Sequence, residues 1–541
     1  MLETSLRRNW TLDALTDYKS VTLQYKDVAR KIEKLHIMFE QVGIEKGDKI
    51  AICGRNSSNW GVVFLSVITY GAVAVPILHE FKPDNIHNII NHSEPKLVFV
   101  SDQIWESLLV DAIPSVLGVV QINDFSILES RDERLDYARA HLNELFGQKF
   151  PSKFTPEDIS YVYPDEEDLA VINYTSGSTG FSKGVMLPYR ALSSNVEFAY
   201  GVVLLNAGDK VVSMLPMAHM YGMAFEFLYE MTVGAHVYLL TRTPSPKVIF
   251  NAFNEVKPNI IIAVPLIIEK VIKKMVLPKL ETLPMKMLLK MPVVNDAVRK
   301  NVRDQMVRSF GGEFYEVIIG GAAFNQEIDQ FLHSIHFPYT VGYGATECAP
   351  IICYEDWKSA VPGSCGKAVV NMEVRIDSPD PAHVVGEILC RGKNVMLGYY
   401  KNEELTCESI DSDGWFHTGD LGIMDAEGRV FIKGRSKNML LSANGQNIYP
   451  EEIEDKLNNY PYVSESLIVD RNGKLVALVF PDFDQLVGET LTEKDLPALM
   501  EENRKKVNEQ LPAYSQISKV VLQAEEFEKT PKRSIKRFLY N

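Results

Sequence analysis

Four short segments of the chain carry residue types that could handle a nucleotide. From Tyr174 to Gly184 it reads YTSGSTGFSKG, in which hydroxyl side chains alternate with glycines and Lys183 stands near the end. Small residues after a buried strand let backbone N–H groups and hydroxyls surround phosphate oxygens, and the lysine adds positive charge. Two residues separate Gly180 from Lys183, so this is not a Walker A loop. In Gly342-Tyr-Gly-Ala-Thr-Glu347, a tyrosine between glycines suits stacking on a purine. Thr346 and Glu347 suit a phosphate and its Mg²⁺, because magnesium takes oxygen ligands and bridges to phosphates. In Trp415-Phe-His-Thr-Gly-Asp-Leu-Gly422, Asp420 follows a glycine turn and could accept hydrogen bonds from both ribose hydroxyls. Gly434-Arg-Ser-Lys-Asn438 stands where the texture of the sequence changes, as a linker between domains would. Each segment alone also has a plain reading: a flexible Ser/Gly turn, a solvated Glu at a strand end, or an Asp in an ordinary turn.

The elements that must hold these segments read as α/β. Val28, Ile32, Leu35, Phe39 and Val42 mark one helical face after Tyr25. Apolar strands (KIAICG, AVAVPI, KLVFVSD, LAVINYT) alternate with helical stretches, which predicts parallel sheets covered by helices on both faces. The stretch 267–310 is rich in Lys, Met and Leu and reads as helical. From Glu373, short strands with Gly turns predict a β-rich subdomain. After Lys437 the chain reads as a small α+β unit, with a helix near Pro450–Leu457 and a hairpin in SLIVDRNGKLVALVF.

Composition excludes several classes. The 541 residues carry a formal charge of −15, which argues against a nucleic-acid partner, since phosphate contacts need clustered Lys and Arg. Six scattered cysteines show no zinc spacing. The chain starts without an apolar leader and holds no long apolar run, so a cytoplasmic location is expected. Peripheral membrane association and a homodimer stay open.

TSGSTGFSKG, LPMAHMYG, GGAAF, GYGATE, GWFHTGDLG, GRSKN and NIYPEEIE occur in this order. Together they resemble the adenylate-forming superfamily of acyl-CoA synthetases, peptide-synthetase adenylation domains and beetle luciferases. The resemblance runs from about Val21 to Arg537. It implies an ATP-dependent ligase that forms an acyl-adenylate and then a CoA thioester, with ATP and CoA as co-substrates and Mg²⁺ as cofactor. It also implies a large N-terminal domain over 1–434, a hinge at 435–437 and a small mobile domain over 438–541.

The resemblance carries over residue by residue. Thr175, Ser176, Gly177, Ser178, Thr179, Gly180 and Lys183 match the phosphate loop, with Thr175 also near the metal. Gly321, Ala322 and Ala323 match the segment along adenine, and Tyr343 with Gly344 the stacking aromatic and its neighbour. Thr346 matches the α-phosphate contact, Glu347 the Mg²⁺ ligand, Asp420 the ribose carboxylate, and Arg435 a ribose or phosphate contact. Lys437 matches the hinge, and Gly445 lies in the loop that approaches the pantetheine arm. His219 matches a residue at the mouth of the acyl pocket, with Tyr221 beside it; a core histidine reads equally well. Met217, Met220, Met223, Phe225 and Phe227 suit either an acyl tunnel or plain core.

Two departures matter. The tail reads Thr530-Pro-Lys-Arg-Ser-Ile-Lys-Arg537, and Ser534 stands where the family has its catalytic lysine. Lys532 is the expected replacement, since alternate residues of an extended segment share a face. The fourth-motif Asp that peptide-synthetase domains use for an amino group is absent, which favours a simple acid. Within the 267–310 stretch, the Lys-rich run after Val264-Pro265 through LPKLETLPMKMLLK looks similar to bacterial long-chain fatty acyl-CoA synthetases. Acyl transfer to a carrier protein, and a nucleotide-binding homologue with weakened adenylation, are the alternatives.

Overall fold

The computed structural model describes residues 1–541 except 177–181, 243–244, 273–291, 442–445, 487–491, 531–534 and 541. Its largest sheet has eight strands. In spatial order these are Gly398–Tyr399, Ser182–Pro188, Leu169–Ser176, Val73–Ile77, Lys49–Cys53, Leu97–Val100, Gly118–Gln121 and Ile127–Ser130. The inner five run parallel. Both margins turn antiparallel, so the sheet is mixed where the apolar alternation predicted parallel pairing throughout. One margin lies at the Ser/Gly segment: Leu169–Ser176 and Ser182–Pro188, on either side of residues 177–181, pair antiparallel.

The helices follow from local chemistry. Ser57 caps Ser58–Tyr70 by accepting from the Trp60 N–H, and a capping box between Gln24 and Asp27 opens Tyr25–Val42. Gly43, at φ 76°, ends the latter helix in the left-handed conformation that glycine adopts without Cβ strain. The predicted apolar face of Tyr25–Val42 is buried, and Phe39, Phe64 and Phe99 are fully enclosed. Each such side chain contributes about 1.5–3 kcal/mol. Of the 267–310 stretch, Pro265–Val271 and Pro292–Ser309 are helical, and 273–291 lies outside the described residues.

Smaller sheets carry the remaining motifs. Ile261–Ala263, Val317–Ile319 and Tyr339–Val341 are parallel. Met372–Asp377, Gly386–Gly392, Phe416–Met424 and Val430–Arg435 form the expected β-rich antiparallel sheet. The last hundred residues pack Pro450–Leu457 and Leu496–Asn508 on the sheet of Val463–Asp470, Leu475–Pro481 and Ile517–Leu522. Their apolar side chains form clusters of their own, apart from the main core. Among the described residues no helix is long and apolar enough to cross a membrane.

Candidate active site

The site grows from strand ends. Val317–Ile319 and Tyr339–Val341 are neighbouring parallel strands, and the Gly342 N–H donates to the Ile319 carbonyl at 2.9 Å. Their carboxyl ends therefore set Gly321, Ala322 and Ala323 beside Gly342 and Tyr343, the place where open α/β sheets take ligands. Gly321, Ala322 and Ala323 are exposed and Tyr343 is buried. Gly344 must be glycine, because a Cβ there would lie 2.2 Å from the Pro350 carbonyl oxygen.

Tyr343 reaches the next sheet. Its hydroxyl donates to Asp420 Oδ2 at 2.7 Å, while Arg435 Nε pairs with Asp420 Oδ1 at 2.8 Å. Asp420 and Arg435 are cross-strand partners of one hairpin, so register places the pair. Burial pushes the Asp420 carboxyl above its usual range, against the pull of the Arg435 guanidinium. Burial, then the Asp420 charge, pushes the Tyr343 hydroxyl well up.

At the other end, the loop hairpin sets Thr175 opposite Lys183 and Ser176 opposite Ser182. Lys183 Nζ stands 5.2 Å from the centre of the Tyr399 ring, and the Tyr399 hydroxyl donates to Glu347 Oε1 at 3.0 Å. Thr346 is buried and Glu347 half-buried, in the turn Thr346–Cys348. Burial lowers the Lys183 pKa, and the charge of Lys437 lowers it further, while Glu347 opposes both. Lys437 itself lies in the turn Ser436–Asn438, next to Arg435.

The loop of His219 joins the two ends. The Asn173 side chain donates to the Ala218 carbonyl at 2.9 Å, tying the loop to the strand that leads into Thr175. The Tyr221 hydroxyl donates to the Ile318 carbonyl at 3.1 Å, and its ring lies against Gly320 and Gly321. His219 Nδ1 accepts from the Tyr221 N–H at 3.2 Å and so caps the following helix. That helix runs over Met220–Val233 with a π turn at Ala224–Leu228. Met217 and Phe227 pack against Gly61 in the main core; Phe225 meets Phe198 and Tyr221 edge-on.

Two contributors escaped sequence reasoning. Tyr399 lies 52 residues from Glu347, and its only local signal is the Gly-Tyr-Tyr run after Leu397. Buried Glu226 accepts from the Met214 and Leu215 N–H groups, fixing the start of the His219 loop. Gly177, Ser178, Thr179, Gly180, Gly445, Lys532 and Ser534 lie outside the described residues.

Among the described residues no group of three or more His, Cys, Asp and Glu side chains could hold a metal. One carboxylate, Glu347, with neighbouring hydroxyls fits a magnesium ion that arrives on a nucleotide and keeps phosphate oxygens and water as its other ligands.

A model of the AMP-binding enzyme family matches residues 2–400, and one of the AMP-binding enzyme C-terminal domain matches 437–540. The chain belongs to the AMP-binding enzyme family. It is 27% identical over 497 residues to the long-chain-fatty-acid–CoA ligase ACSBG2 of Gallus gallus, covering 85% of this chain and 63% of that protein. It is 29% identical over 502 residues to the peroxisomal long chain acyl-CoA synthetase 6 of Arabidopsis thaliana, covering 87% of this chain and 70% of that protein. In fold it resembles ATP-bound MatB from Rhodopseudomonas palustris, with a TM-score of 0.77 at 21% identity over 100% of this chain and 98% of that one. Against the o-succinylbenzoate CoA synthetase MenE of Bacillus subtilis the TM-score is 0.75, at 20% identity over 100% and 97%.

Proposed function

We propose that this chain is an ATP-dependent acid–CoA ligase acting on long-chain fatty acids. The observation that carries the proposal is the convergence of the ordered motifs: Gly321–Ala323 and Tyr343 at adjoining strand ends, Asp420 bonded to Tyr343 and paired with Arg435, and Lys183 and Glu347 on either side of Tyr399. In the proposed reaction a carboxylate oxygen attacks the α-phosphorus of ATP and pyrophosphate leaves. The CoA thiol then displaces AMP from the mixed anhydride. Tyr343 and the Gly321–Ala323 backbone hold the base, Asp420 the ribose hydroxyls, and Thr175–Gly180, Lys183 and Thr346 the phosphates. Glu347 and the Thr175 hydroxyl would hold magnesium, which would supply neutralising charge. Positioning and electrostatics do the work, with no covalent enzyme intermediate.

Residues 1–434 would form the large domain, 435–437 the hinge, and 438–541 a small domain that turns at Lys437 between the half-reactions, bringing Gly445 toward the pantetheine arm. The contacts between the region of the helix Pro450–Leu457 and residues 1–434 include polar ones that suit such a joint: Asn325 donates to Asp455 at 2.8 Å and to Asn459 at 2.6 Å, and Lys433 pairs with Glu452 at 3.1 Å. In the tail, Lys529 pairs with Glu465, Lys536 with Glu528, and Arg537 with Glu454. Lys532 would replace the lysine that Ser534 displaces, since alternate residues of an extended segment share a face.

The long-chain assignment rests on the similarity of the 267–310 stretch and on what the relatives are named for. His219 and Tyr221 would stand at the acyl entrance. Pyrophosphate release measured over saturated acids of rising length, with and without CoA, tests it. A maximum with long unbranched acids and CoA-dependent turnover is expected. A maximum with acetate, an aromatic acid or an amino acid would refute the substrate class, and no release with any acid would refute adenylation.

A further inference from the structure

Between the two opposite charges of the phosphate end stands a tyrosine that no motif reading assigns. Tyr399 belongs to a two-residue strand at the margin of the eight-stranded sheet, paired with Val185 in the strand that carries Lys183. The backbone around it is bonded to both sides. Leu397 and Tyr400 N–H groups donate to the Met186 and Gly184 carbonyls at 2.9 and 2.8 Å, and the Met396 N–H donates to the Glu347 carbonyl at 2.8 Å. The Tyr399 N–H donates to Thr406 Oγ1 at 2.9 Å. Gly398 lets the strand lie this close to Thr406, since a Cβ there would stand 2.5 Å from the Thr406 methyl group. Tyr399 is buried and thus fixed in place.

We propose that Tyr399 is a positioning residue that keeps Glu347 and Lys183 apart and aimed, the carboxylate through its hydroxyl and the ammonium through its ring face. The proposal rests on the reading of Glu347 as the magnesium ligand. The hydroxyl occupies Glu347 Oε1 at 3.0 Å, which leaves Oε2 for a metal. The ring holds the Lys183 ammonium at 5.2 Å by cation–π attraction. Without that spacer the two opposite charges would pair with each other, and each would have to be released before a magnesium–triphosphate could bind. A long Glu side chain held beforehand also loses less rotamer freedom when it takes a ligand.

Two variants separate the hydroxyl from the ring. Tyr399→Phe keeps the ring and removes the hydroxyl; Tyr399→Leu removes both. The readout is equilibrium binding of α,β-methylene-ATP, titrated calorimetrically at rising magnesium and without it, together with thermal melting. Tyr399→Phe should raise the magnesium needed for half-maximal tightening about tenfold, the loss expected for one hydrogen bond to a charged group. Its metal-free binding should weaken much less than its magnesium-dependent binding, and its melting temperature should stay at wild type. Tyr399→Leu should weaken metal-free binding as well, because Lys183 loses its platform. Wild-type magnesium dependence in Tyr399→Phe would overturn the proposal, as would equal losses with and without magnesium. Glu347→Ala run alongside tells which idea has failed. If it abolishes the magnesium effect while Tyr399→Phe does not alter it, only the tyrosine's role falls. If Glu347→Ala also leaves the effect unchanged, the metal reading beneath it falls too.

Discussion

The ribose end and the phosphate end of the candidate site are built on opposite electrostatic plans. At the ribose end the charges are already balanced: both oxygens of Asp420 are engaged, one by Arg435 at 2.8 Å and one by the Tyr343 hydroxyl at 2.7 Å. At the phosphate end burial lowers the Lys183 pKa, and the nearby Glu347 is held by a neutral tyrosine. Burial disfavours the Lys183 charge, a cost that an arriving triphosphate would offset. On the proposed reading, the first end is a finished surface for a neutral sugar and base, and the second is completed by ligand charge.

That contrast can be broken, beginning with the largest expected effect. Glu347→Ala should cut acid-dependent ATP–pyrophosphate exchange about 10²–10³-fold, the usual loss of a transition-state charge stabiliser. A variant within about threefold of wild type would take the metal away from Glu347. Lys183→Met should lower kcat/KM for ATP about ten- to hundredfold, the range for charged hydrogen bonds, and the loss should shrink at high ionic strength. Asp420→Asn should be milder, raising KM for ATP about five- to tenfold. Because Asp420 would read the ribose hydroxyls, the same variant should also narrow the gap between ATP and 2′-deoxy-ATP. A loss larger than that of Glu347→Ala, or an unchanged gap, would show that the ribose end is no finished surface.

How far the sequence reveals this arrangement depends on how local each determinant is. Strand and helix positions such as Lys49–Cys53 and Pro450–Leu457 are set by apolar period and capping within a few residues, and they stand where they are expected. The motif residues are legible because each cluster is contiguous. What joins the clusters is not: Tyr343 meets Asp420 across 77 residues and Tyr399 meets Glu347 across 52. Such contacts depend on which sheet edges face each other, and no periodicity encodes that. The antiparallel margins are hidden for a related reason. An apolar strand buried on both faces reads alike in either direction, so Leu169–Ser176 reveals nothing about the sense of its partner Ser182–Pro188.

That hairpin has a bearing on how such a site tolerates change. Thr175 and Lys183 face each other as a rung of a ladder, and the rung is fixed by the strands on either side of residues 177–181. An inserted residue within 177–181 would leave the rung standing. A residue deleted between Lys183 and Pro188 would shift the strand by one, turning side chains beyond the gap to the opposite face. The count of residues along Ser182–Pro188 therefore decides which side chain stands opposite Thr175.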